Sequence, residues 1–254
     1  PRYEEYQNYN KVYSQEPNLF IRKDLDYNFR SVSEFSNNII ASKLKSPGEL
    51  IDSWTSYLPN EVMSLDGKFG PINSLISMKD EIFSFQDSAV AYISISPRVQ
   101  VQGNDGVSIQ LGTGTILNDY KYITTSSGSK NKWSVIPTET GIFYLDLLNR
   151  SFNLASAEGI KGLSDVEGFH KYFIDELDLN LQKEDNQLLR KGISIGWDKI
   201  TNDVYLSMYK KNSIQTLSFN IAQGGFSSFY DYDSIFYITT KGKTFTINPE
   251  NNNE

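Results

Sequence analysis

The residues in this chain best suited to chemistry are carboxylates in turns. Asp198 and Asp203 bracket one turn between strand-like runs, and Asp231 and Asp233 flank Tyr232 at another junction. Two carboxyl groups held about 5 to 10 Å apart can hydrolyse a glycosidic bond, one as acid and the other as nucleophile or base. Aspartate also forms turns in its own right, because its side chain accepts from the backbone two residues on. Both readings stay open at these four positions. The lone histidine, His170, sits beside Phe169 with Asp165 and Asp175 near it in sequence. With no second His and no Cys there is no zinc ligand set, so a surface or packing role follows. Asp175, Glu176 and Asp178 make an acidic helix end, but the Asp-x-Asn-x-Asp spacing with a closing Glu that holds calcium is absent. Gly112-Thr113-Gly114-Thr115 lacks the Gly-Lys-Ser/Thr ending of a phosphate loop. Ser126-Ser127-Gly128-Ser129 lacks the Gly-x-Ser-x-Gly of a nucleophile elbow and reads as a flexible loop. No catalytic residue, metal ligand or cofactor is assigned from the sequence.

Aromatic residues carry the other candidate role. Trp133, Phe226, Phe229, Tyr230 and Tyr232 could anchor a contact with another subunit, since buried aromatics dominate such interfaces. Strand neighbours point to opposite faces, so the core is a competing destination for alternate members of the set.

The elements that must position these residues are mostly strands. From Gly192 onward, short aromatic and β-branched runs recur about every ten residues with Gly, Asn or Asp between them. They are 192–197, 203–209, 214–219 and 225–230, then a hairpin of 234–240 against 243–248 turning on Lys241-Gly242. Upstream, 71–78, 81–86, 88–95, 132–136, 140–147 and 151–154 read the same way. Between them, 99–102 and 107–110 alternate apolar and polar residues across Gly103-Asn104-Asp105-Gly106. Gln100, Gln102, Ser108 and Gln110 would form one wet face of that hairpin. Leu163, Val166, Phe169, Phe173 and Leu177, spaced by three or four, predict one helix inserted near 164–179, with Ser164 and Glu167 as a capping box. Residues 1–66 show little alternation and two plausible helices, one starting near Ser31 and one at Ser46-Pro47, ending before Leu58-Pro59. The expected organisation is an extended, partly helical N-terminal arm (1–66) followed by antiparallel meander sheets of β-propeller type (67–254).

Composition narrows the function classes. A net charge of −7, with 24 basic against 31 acidic residues and no clustered Lys/Arg, argues against sequence-specific nucleic-acid binding. No run of about eighteen apolar residues marks a membrane-spanning helix. The absence of Cys removes disulfides and thiolate chemistry. Pro1 in place of an initiator Met suggests a piece of a longer protein.

The order of these elements resembles the muzzle, or stabilisation, protein of crAss-like phages. The likeness rests on Trp133-Ser134-Val135-Ile136 with Gly141-Ile142-Phe143-Tyr144-Leu145-Asp146, on the helix from Leu163-Ser164-Asp165 to Phe173, and on Thr216-Leu217-Ser218-Phe219 with Gly225-Phe226-Ser227-Ser228-Phe229-Tyr230-Asp231. It covers roughly residues 70 to 248 in patterns of strand and turn. The resemblance implies a structural virion protein that closes or stabilises the distal end of a short tail and gates genome or cargo exit. Its implied partners are copies of itself in a symmetric ring and other tail proteins. About ten to thirteen expected strands make only two or three blades, so a closed ring of blades would need further segments. A propeller-type glycan-binding protein or glycoside hydrolase, using the turn aspartates, is the alternative.

Overall fold

The computed structural model describes residues 35–43, 55–79, 81–95, 99–102, 108–111, 116–156, 158–166, 168–177, 179, 185–187, 191–209, 214–240 and 242–247. They divide into two compact units, one drawn from 1–65 and 95–119 and the other from 66–94 and 120–254.

The smaller unit holds two ribbons. β1 (Asn38–Ser42) pairs antiparallel with β2 (Tyr57–Ser64), in a stretch where the sequence predicts helices and little alternation. The starts of both expected helices lie outside the described residues. Glu61 of β2 is buried, and its Oε2 accepts from the Ile116 amide at 2.7 Å. β6 (Val99–Gln102) and β7 (Ser108–Leu111) form the expected hairpin, with Gln100 opposite Gln110 and Gln102 opposite Ser108. This hairpin forms a sheet of its own and does not join the larger unit's series.

The larger unit is built from four-stranded antiparallel sheets. The first is ordered β3 (Ile72–Met78), β4 (Glu81–Gln86), β5 (Val90–Ile95), β8 (Leu117–Thr124). The second is β9 (Val135–Pro137), β10 (Ile142–Asp146), β11 (Ser151–Ser156), β12 (Gly159–Gly162). The third is β13 (Ile193–Asp198), β14 (Asp203–Tyr209), β15 (Ile214–Asn220), β16 (Gly225–Tyr230). A hairpin of β17 (Phe236–Thr240) and β18 (Lys243–Ile247) comes last. The leading strands lie side by side: β9 beside β3, β13 beside β9, and β17 beside β13. The Ile195 amide donates to the Trp133 carbonyl at 2.9 Å along this line.

Alternation explains the stacking, because successive side chains of a strand serve opposite faces. On β10, Ile142 and Tyr144 join Phe83, Phe85 and Val90 of the first sheet, while Phe143 and Leu145 join Val204, Leu206, Leu217 and Phe219 of the third. Both faces of β10 are therefore dry, as its uninterrupted burial records. On β14, Val204, Leu206 and Met208 face the second sheet. Ser207 turns the other way, to the β17 Tyr237 hydroxyl at 2.6 Å.

The single helix expected near 164–179 is two short ones, α1 (Leu163–Val166) and α2 (His170–Glu176). Gly168, at φ 73°, separates them. The apolar periodicity is genuine, since Leu163, Phe173 and Leu177 all enter the core between the second and third sheets. Ser164 does not cap a helix. Its hydroxyl accepts from the Phe152 amide at 3.2 Å, tying α1 to β11.

One close approach limits sequence freedom at the last interface. A Cβ at Gly196 would stand 2.3 Å from Cγ of Tyr237. Gly196→Ala is expected to push the β17–β18 hairpin off the third sheet and cost about 1–3 kcal/mol, as overpacked cores do. In urea titrations, combining it with Tyr237→Ala should cost less than the sum of the two single changes. Strict additivity would show that the two residues do not meet.

Candidate functional site

The five aromatic residues singled out in the sequence fall into three places. β16 carries a bulge, with Phe226 opposite Phe219 and Ser228 opposite Ser218. The extra residue, Ser227, puts Phe226 and Phe229 on the same face. There Phe226 stacks on Phe169 at 4.2 Å and contacts Phe152, Phe173 and Phe219, while Phe229 meets Tyr172 edge-on at 5.4 Å. Phe226 is thus half-buried inside the protein, and Phe229 remains 54% exposed. Tyr230 takes the opposite face, with Tyr205 at 5.6 Å and Tyr232 at 5.2 Å. Trp133 stands apart beside the leading strands, edge-on to Phe236 at 4.6 Å, with Lys132 Nζ 5.2 Å from its ring and 40% of its surface exposed. Depressions of about 300 and 390 Å³ flank it, lined by residues of β13 and β17 on one side and of β3 on the other. Sequence reasoning missed Phe169 and Tyr172 as partners of β16, because the bulge breaks the strict alternation that would assign its faces.

Of the turn aspartates, Asp198 caps its own turn and Asp203 holds a side chain of the neighbouring strand. Asp198 and Asp203 are opposite each other at the end of β13–β14. Asp198 Oδ1 accepts from the Ile200 amide at 2.9 Å, and Asp203 Oδ1 from Asn220 Nδ2 at 2.8 Å. Asp231 is exposed and Asp233 half-buried beyond β16. His170 Nδ1 lies 3.1 Å from Asp165 Oδ1, both groups well exposed. Asp175 is exposed on α2; Asp178 and Gly112–Thr115 lie outside the described residues. Among the described residues no group of three or more His, Asp or Glu could hold a metal ion.

Polar chemistry is concentrated instead in the seams between sheets. The stretch Ser126–Ser129, expected to be flexible, is a pinned turn. A Cβ at Gly128 would lie 2.2 Å from the Gln86 carbonyl oxygen, and the Ser129 amide donates to that same carbonyl at 2.9 Å. Ser127 Oγ meets the Tyr144 hydroxyl at 2.7 Å. Buried Asp146 accepts from the amides of Leu148 (2.9 Å) and Asn149 (3.0 Å) with Oδ1, and from Gly128 N (3.2 Å) and Asn149 Nδ2 (2.7 Å) with Oδ2. At the next seam Ser207 Oγ is shared by Thr216 Oγ1 at 2.8 Å and the Tyr237 hydroxyl.

These seams make alkaline pH destabilising. Burial raises the phenol pKa values of Tyr144 and Tyr237 above the ordinary 10. Below that value both folded and unfolded states carry the neutral phenol, and the seams contribute in full. Above it the unfolded chain ionises first, so stability falls as pH rises toward the folded values, by about 1.4 kcal/mol per pH unit for each fully buried phenol. Urea midpoints should be level up to about pH 9 and drop steeply by about pH 11. Tyr144→Phe should flatten that drop, and an unchanged profile would contradict the assignment.

A family model described as the crassvirus muzzle protein matches residues 2–250. A muzzle protein of Bacteroides phage crAss001 is 30% identical over 235 residues, which make up 89% of this chain and 16% of the relative. The chain therefore spans well under two thirds of that curated relative. No helix among the described residues is long and apolar enough to cross a membrane. Matched over nearly its whole length, the chain belongs to the crassvirus muzzle protein family, whose place is among the structural proteins of the phage virion tail.

Proposed function

We propose that this chain is a non-catalytic wall element of the distal tail, in which its sheets act as consecutive blades of a β-propeller. Copies of it stand in a symmetric ring with other tail proteins and close the tail end until genome and cargo leave. The observation carrying the reading is family membership across residues 2–250. The side-by-side leading strands support the blade assignment, since propeller blades are four-stranded sheets set radially about an axis. Residues 1–66 serve as the arm that docks on a neighbour. Trp133 and Phe229, with Tyr230 and Tyr232 at the far face of β16, supply aromatic surface for contacts between copies.

Gold-conjugated antibodies against this chain test the reading on purified virions. Labelling confined to the tail tip, with cross-links joining residues of different copies, is the expected result. Labelling of the capsid, or antigen found only in the lysate, would overturn it. Asp198 and Asp203 each hold a donor of the protein itself, the Ile200 amide and the Asn220 side chain, so Asp→Asn changes there should alter stability and leave particle assembly on the host intact.

A further inference from the structure

The β17–β18 hairpin sets one face against the third sheet and, beyond Phe236, leaves the other exposed. Tyr237 and Thr246 are paired across it, as are Thr239 and Thr244. On this face Tyr237 packs on the third sheet at Gly196, and both threonine hydroxyls donate to the Trp197 carbonyl, at 3.0 and 3.2 Å. The opposite face carries the intervening pairs, Phe236 with Ile247 and Ile238 with Phe245. Phe236 turns to Trp133. Ile238, Phe245 and Ile247 are 46%, 51% and 42% exposed. Three apolar side chains on one face of a ribbon are the pattern that every interior sheet of this protein buries against its neighbour. Among the described residues, no strand pairs with the far edge of β18.

The hairpin also stops short of its predecessors. Each of the three preceding sheets has four strands and has its far face covered by the next sheet or hairpin in the chain, and the second and third begin with a strand beside the previous leader. The hairpin repeats the placement of the leader, with β17 beside β13, but has two strands. A free, apolar-faced edge strand is a template for pairing. An isolated two-stranded ribbon is marginal until more strands or a packing partner join it.

We infer that β17–β18 is the inner half of a fourth four-stranded sheet. Two antiparallel strands from elsewhere in the full-length muzzle polypeptide complete it at the β18 edge, and a further sheet covers Ile238, Phe245 and Ile247. The same polypeptide is chosen as the source because all three complete sheets are formed within one chain, and the curated relative is long enough to supply many more strands. The inference rests on the blade reading above, but not on the protein's position in the tail.

Amide hydrogen exchange tests it, measured on residues 1–254 alone at two concentrations and on the muzzle protein recovered intact from virions. Alternate amides of Lys243–Ile247 point away from β17. They should exchange freely in the 254-residue chain at both concentrations and slow by on the order of a hundredfold or more in the intact protein, as interior strands do relative to edges. Exchange that stays fast in the intact protein would overturn the inference. Slowing in the 254-residue chain that grows with concentration, alongside a dimer in light scattering, would also overturn it by making a second copy the occupant. Neither outcome bears on tail location, which the gold labelling reads separately.

Discussion

Replacing Asp146 by alanine is expected to cost about 3–5 kcal/mol, because three backbone amides and the Asn149 side chain lose their acceptor, at about 1–3 kcal/mol for each buried donor left unpaired. The carboxylate is 1% exposed, at the end of β10, and its two oxygens divide the work. Oδ1 closes the turn into β11 through Leu148 and Asn149, and Oδ2 reaches Gly128 in the turn after β8. One side chain therefore fixes a local turn and joins the second sheet to the first. Asp146→Asn keeps the shape and one carbonyl oxygen, so it should retain the Leu148 and Asn149 backbone-amide bonds, lose the acceptor for the Gly128 amide and Asn149 Nδ2, and cost about 2–4 kcal/mol. Urea midpoints give the magnitudes, and hydrogen exchange at Gly128, Leu148 and Asn149 locates the damage. A loss under about 1 kcal/mol for the alanine variant would mean that water or another group takes over the acceptor role.

Phe152→Ala should be comparably severe, at about 3–5 kcal/mol, the range for truncating a fully buried phenylalanine. The ring is inaccessible and stands where Phe143, Phe219 and Phe226 converge, with ring centres 5.8, 5.9 and 5.9 Å away. It links the second sheet, the third sheet and, through Phe226, the helical insert. The cavity cannot collapse easily, because β11 is held by β10 and β12 on either side. Phe152→Leu, which restores most of the volume, should cost no more than about 1.5 kcal/mol. Near-ultraviolet circular dichroism should lose intensity with the alanine variant, as the aromatic cluster loosens. Equal costs for Ala and Leu would contradict the packing argument.

Much of this architecture is legible locally. β13 to β18 follow the sequence closely, since each hairpin is written in adjacent residues: a β-branched or aromatic run, a Gly, Asn or Asp turn, then another run. Sheet membership is a different matter. β5 pairs within the first sheet next to β8, although β6 and β7 intervene in the chain. Nothing local to 99–111 says that this hairpin leaves the series. β8 itself, Leu117–Thr124, opens on Asn118-Asp119, which reads as a turn. β12 is bounded by Gly159 and Gly162, which weaken any strand signal. The helical insert has the right apolar spacing, and Gly168 at positive φ is what divides it.

The aromatic candidates show the same limit at the level of a site. Their identity is legible and their grouping is not, because a single bulge residue, Ser227, decides that Phe226 and Phe229 share a face while Tyr230 turns to Tyr205. The turn reading of Asp198 follows from elementary Asx chemistry, whereas the partner of Asp203, the Asn220 side chain, lies seventeen residues on. The role of Asp146 is harder to read, since its third amide partner, Gly128, is eighteen residues away. The bare face of Ile238, Phe245 and Ile247 is present in the hairpin's alternation, yet only the packing of Tyr237 shows which face was already taken.

Cryo-electron microscopy of the native virion tests the central claim most directly. Symmetric density is expected at the distal end of the tail into which residues 66–94 and 120–247 fit, with β3, β9, β13 and β17 innermost about one axis. Tail density that does not accommodate these sheets, or sheets that do not converge on a common axis, would contradict it.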